Sequence, residues 1–142
     1  MFRKIAGASA LILASAVCAQ VPEGYMEIPT DDANTKIFVQ SQSQLLFMYT
    51  AGADAEMTQG RQSAREIAEL FKKEAHCDSA VVDGDEKTAT VTGCNENNGQ
   101  VSMNVLVMRN GSEFAVVASS QAMPEADYRM LLEHVGVSVK AR

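Results

Sequence analysis

Residues His76–Cys94 read HCDSAVVDGDEKTATVTGC, two cysteines bracketing a short, acidic, strand-rich excursion. Ser79 to Val82 and Lys87 to Gly93 flank the acidic turn Asp83-Gly84-Asp85-Glu86, a pattern that predicts a hairpin. In its second arm Ala89 and Val91 alternate with Thr88, Thr90 and Thr92, so one face of that strand is buried and the other polar. Cys77 and Cys94 are the only cysteines beyond Cys18, an even count that pairs in an oxidising compartment. Closing a loop of about 18 residues removes unfolded-state entropy equivalent to roughly 3 kcal/mol. The stretch therefore reads as a disulfide-clamped hairpin that ties the end of a helix to the start of a β-meander.

The first residues place the chain in that compartment. Arg3 and Lys4 precede an apolar run from Ile5 to Val17, which ends in Val17-Cys18-Ala19. This is the layout of a secretory signal peptide over residues 1–19, cleaved near Ala19, with a periplasmic or secreted product. The run is shorter than the roughly 20 residues of a spanning helix, and no later segment approaches that length, so no membrane span is expected. Lipidation at Cys18 is disfavoured because bulky Val17 stands where a lipoprotein signal needs a small residue. Without Arg3 and Lys4, residues 20–142 carry 10 basic and 18 acidic side chains, a formal charge of −8. One domain fits that length, and its acidity, with no basic stripe, argues against nucleic acid or an anionic membrane as partner.

The remaining elements follow from apolar periodicity. Tyr25, Met26 and Ile28 mark a strand ended by Pro29, and Lys36 to Gln40 with Gln44 to Thr50 form a hairpin. The second arm is apolar on both faces, Leu45, Phe47 and Tyr49 against Leu46 and Met48, which predicts a central strand covered on both sides. A helix is expected from an N-cap at Asp54 to about Ala75, with Met57, Ala64, Ile67, Ala68, Phe71 and Ala75 on one stripe. After the clamped hairpin, Asn95 to Gly99 reads as a turn, and the Asn110-Gly111 turn joins two more strands. Pro124 at the first helical position opens a last helix that packs through Tyr128, Leu131, Leu132 and Val135 and stops at Gly136. The expected class is thus α+β: an antiparallel sheet of six to seven strands packed with two α-helices, in the order βββ-α-ββββ-α, with one disulfide.

That order, from Lys36-Ile37-Phe38-Val39 through the long helix and the meander to the Pro124 helix, resembles the PsbP-like fold, which includes small exported bacterial proteins. The resemblance spans most of residues 20–142 and implies a binding or assembly factor more than an enzyme. It carries no functional residues across.

Chemical motifs are sparse. A nucleophilic Cys/His site would need a free thiol beside His76, but Cys77 is required for the bridge. His134, in the last helical turn, suits the helix dipole, and two distant histidines do not make a zinc site. Asp78, Asp83, Asp85 and Glu86 form the densest carboxylate group, and Asp83, Asp85 and Glu86 a partner-contact or weak calcium site in which the twelve-position loop spacing is absent. No cofactor or bound metal is implied. The methionines are scattered and read as adaptable packing or a repacking partner surface.

The leading expectation is a non-catalytic exported domain that binds another envelope protein through hairpin tips or a sheet edge. One alternative is an inhibitor or immunity-type protein that blocks an exported enzyme with the Asp83 to Glu86 loop. Another is a small-ligand or lipid carrier with an apolar pocket between helix and sheet, lined by Phe47, Phe71 and Val105.

Overall fold

Alternating apolar side chains build two antiparallel meanders in the computed structural model, which describes residues 20–52, 63–94, 103–111 and 113–137. The first contains β1 (Tyr25–Ile28), β2 (Thr35–Gln40) and β3 (Leu45–Ala51). The second contains β4 (Val81–Gly84), β5 (Thr88–Thr92), β6 (Met103–Asn110) and β7 (Glu113–Ser120). β3 pairs antiparallel with β7, from Phe47 opposite Ser119 to Ala51 opposite Ala115. The result is one seven-stranded sheet in the order β1-β2-β3-β7-β6-β5-β4. With α1 (Ala64–Glu74) between the meanders and α2 (Glu125–His134) after them, the expected class and element order are present. The leader (residues 1–19), Asp54, Met57 and the Asn95 to Gly99 turn lie outside the described residues.

Because side chains alternate across the pleat, the sheet has two cores. On one face Phe38, Phe47, Leu106 and Val117 pack with Leu131 and Leu132 of α2. On the other, Ala89, Val91, Val107 and Phe114 pack with Ala64, Ile67 and Ala68 of α1 and with Cys77 and Cys94. The helices lie on opposite faces and are offset sideways: α1 contacts β4, β5 and β6, whereas the α2 core draws on β1, β2 and β3 as well as on Leu106 and Val117.

The start of α1 differs from the expected one. Ser63 is extended (φ −128°, ψ 153°) and forms a capping box, its hydroxyl accepting from the Glu66 N–H while the Glu66 carboxylate accepts from the Ser63 N–H, each at 3.1 Å. The described helix therefore starts after Ser63, so one continuous helix from Asp54 to Ala75 is not formed. The next two free donors, the N–H groups of Ala64 and Arg65, go to the carbonyls of Glu86 (2.8 Å) and Asp85 (3.1 Å) in the β4–β5 turn. At the other end His76 adopts φ +53°, and the N–H groups of His76 and Cys77 donate to the carbonyls of Lys73 and Lys72, a Schellman stop built without glycine. Cys77 then bridges to Cys94 with 5.8 Å between Cα atoms. The same stop ends α2, with Gly136 in the left-handed position, while Pro124 is the N-cap, one residue earlier than expected.

Two substitutions test this backbone, both measured by urea unfolding. Gly84 has φ +125°, and a Cβ there would run into the Thr88 carbonyl and lie 2.5 Å from the Ala89 Cα, so Gly84→Ala is expected to lose at least about 2 kcal/mol. His76→Gly relieves a left-handed residue with a side chain and is expected to gain up to about 1 kcal/mol. An insensitive Gly84 or a destabilising His76→Gly would contradict these conformations.

Candidate functional site

The acidic turn is held by its own backbone. The Asp85 carboxylate accepts N–H bonds from Lys87 (2.9 Å) and Thr88 (3.0 Å). Those bonds, the Thr88 one first, hold its carboxyl below the usual carboxylate range. The Gly84 carbonyl accepts from the Arg65 guanidinium at 3.1 Å. Asp83 and Glu86 are exposed beside it. Among the described residues no three histidine, cysteine or acidic side chains converge into a group that would hold a metal ion. The turn is thus a preorganised, acidic surface feature fastened to the first turn of α1.

The three residues singled out as a pocket are not brought together. Phe47 is fully buried on the α2 face, 6.1 Å ring to ring from both Phe38 and Tyr128. Phe71 and Val105 lie on the α1 face and line a cavity of about 160 Å³ with Val91, Met103 and both bridged cysteines. Alternation explains the split: Phe47 pairs with Ser119, which pairs with Asn104, so Phe47 shares its face with Asn104 and not with Val105.

The feature that sequence reasoning missed is on the α1 face of the first meander. There Ile28, Ile37 and Met48 form one cross-strand row and Met26, Val39 and Leu46 the next. None of the six belongs to either core, and Met26 and Ile28 are 56% and 38% exposed. β3, expected to be covered on both faces, is fully buried on one: Leu45 and Phe47 are buried, whereas Leu46 and Met48 on the other are partly so. Among the described residues β1 is the edge strand on this side of the sheet, and large apolar side chains exposed beside a sheet edge, as Met26 and Ile28 are, suit a contact surface. β1 itself is short and ends before Pro29, and on the opposite face Glu27 pairs with Lys36 at 3.8 Å. The signal was present in Tyr25 to Ile28 and Lys36 to Gln40, where apolar residues occupy both parities, but that pattern also describes a strand buried on both sides.

β1 is anchored from the other side by Tyr25, whose hydroxyl donates to the Asp127 carboxylate of α2 at 3.1 Å. Burial, with the Asp127 bond and charge added, pushes the phenol up to about 12. No family model matches the chain, and no curated protein matches it.

The phenol provides a pH test of the anchor. An unfolded tyrosine ionises near pH 10, so the stabilisation is complete below about pH 10 and is lost as the pH rises toward about 12. Phenolate absorbance should show one tyrosine titrating near 12 that disappears in Tyr25→Phe. Ionisation of Tyr25 near 10 would mean that β1 is not fastened to α2.

Proposed function

We propose that the chain is an exported, non-catalytic domain that binds another protein of the cell envelope, using the apolar half-face of β1, β2 and β3 and the open β1 edge. The observation that carries this reading is the pair of rows Ile28-Ile37-Met48 and Met26-Val39-Leu46, which lies beside α1 on the same face and outside both cores. Two methionines in the patch suit a repacking contact, since an unbranched thioether fits irregular partner surfaces. Export is supported by the signal-peptide layout of residues 1–19 and by the Cys77–Cys94 bridge. The resemblance to the PsbP-like fold points toward the same kind of role.

The inhibitor reading keeps one observation in its favour, the rigid Asp83 to Glu86 turn, because a loop fixed before binding loses little entropy on insertion. The carrier reading is weakened by size: the space lined by Phe71 and Val105, about 160 Å³, is below the roughly 300 Å³ at which small-molecule pockets begin.

Site-specific photocrosslinking in the producing cells separates these surfaces. A benzophenone side chain at Met26 or Met48 is expected to give a discrete protein adduct, and the same group at Val81, 59% exposed on the opposite edge strand, is expected to give none. Adducts from position 86 alone would favour the inhibitor reading. Equal labelling from Met26 and Val81, or none from the half-face, would contradict the proposed surface.

A further inference from the structure

On the α2 face, the offset of the helix leaves a second opening. β5 turns Thr90 and Thr92 toward this side, next to Asn104 and Leu106 of β6 and Ser119 of β7. With Glu125 and Tyr128 from the first half of α2 these residues enclose a cavity of about 310 Å³, within the size range of small-ligand sites. Its lining is hydroxyl-rich, and among the described residues it holds no Lys, Arg or His and one charged group, the Glu125 carboxylate.

Asn104 is the unexplained residue of this wall. Its Oδ1 is shut off from solvent and receives no hydrogen bond. An acceptor left in that state costs about 1–3 kcal/mol, whereas an apolar residue of similar shape would cost nothing of the kind. A partly accessible side chain can recover the bond by rotating its amide toward the cavity when a donor is there.

We propose that this cavity binds a small organic cation bearing N–H donors, an amine. The acceptor groups of the wall suit that chemistry. The Asn104 carbonyl accepts one N–H, the hydroxyls of Thr90, Thr92 and Ser119 accept others, and the Glu125 carboxylate supplies the counter-charge at the start of α2. Tyr128 also lines the cavity, an aromatic residue of the kind that attracts a cation placed over its ring. Anions meet the opposite conditions: a carboxylate, no basic side chain among the described residues of the lining, and a chain of formal charge −6.

Putrescine, with glucose and acetate as neutral and anionic comparisons, tests the assignment on the full chain by two-dimensional NMR. Putrescine is expected to shift the Asn104 side-chain amide and the backbone amides of Thr90 and Ser119, with a Kd of about 1 mM or below and weaker binding at high salt. Glu125→Gln, an exposed change that leaves the core untouched, is expected to weaken putrescine about fivefold. Asn104→Leu is expected to abolish the shifts at Thr90 and Ser119 while leaving the melting temperature unchanged or raised, the reverse of what a structural asparagine would do. Silence toward putrescine at about 10 mM, more than the weakest affinity expected here, would overturn the proposal. So would glucose or acetate binding in its place, or putrescine shifts unaltered in both variants.

Discussion

Pairing of β3 with β7 is the constraint on which the other contacts depend, because it joins residues 47–51 to 115–119 and fuses two local meanders into one sheet. Everything between those strands must fit in the loop so closed. α1 lies between β3, next to the central strand β7, and β4 at the far edge, and the second meander then returns strand by strand to β3. The disulfide acts within this loop without being its main closure. Bypassing 17 residues lowers the entropy of the larger loop by only about 0.3 kcal/mol, against roughly 3 kcal/mol for fixing its own ends. Its role is local: it pins the end of α1 to the end of β5.

The same path accounts for the acidic turn. α1 starts where the β4–β5 hairpin tip reaches it, and the Asp85 and Glu86 carbonyls take the N–H groups that a helix leaves free in its first turn. The hairpin is therefore fixed to α1 at both ends, by these hydrogen bonds at the tip and by the Cys77–Cys94 bridge at the base. That double fastening makes the segment a structural clamp whose carboxylates remain on the surface.

Much of the architecture was legible because it depends on local periodicity. The alternation in Thr88 to Thr92, the Asn110-Gly111 turn and the Leu131, Leu132 and Gly136 pattern each specify an element without reference to the rest of the chain. What was not legible depends on which face meets which helix. The stripe from Met57 to Ala64 matches helical spacing, and this concealed the Ser63 to Glu66 capping box that starts α1. Phe47, Phe71 and Val105 are all apolar and all lie near helices, but the parity of β3 and β6 sends Phe47 to one core and Val105 to the other. Likewise, Leu46 and Met48 read as buried because apolar strands usually are; only the sideways offset of α1 leaves them outside the core. Asn104 gave no sequence signal, since a single Asn on a polar-alternating strand is ordinary until its environment is known.

Among the described residues the two helices cover different halves of opposite faces, which leaves the row Ile28-Ile37-Met48 outside both cores, with half-buried Ile37 in its middle. The most direct measurement is the unfolding free energy of Ile37→Lys in the isolated protein. On a bare face the lysine stem lies along the sheet and its ammonium stays in water, so the loss should be under about 1 kcal/mol. A loss above about 3 kcal/mol, the scale of an unpaired buried charge, would mean that this face is covered within the chain itself and is not available to a partner.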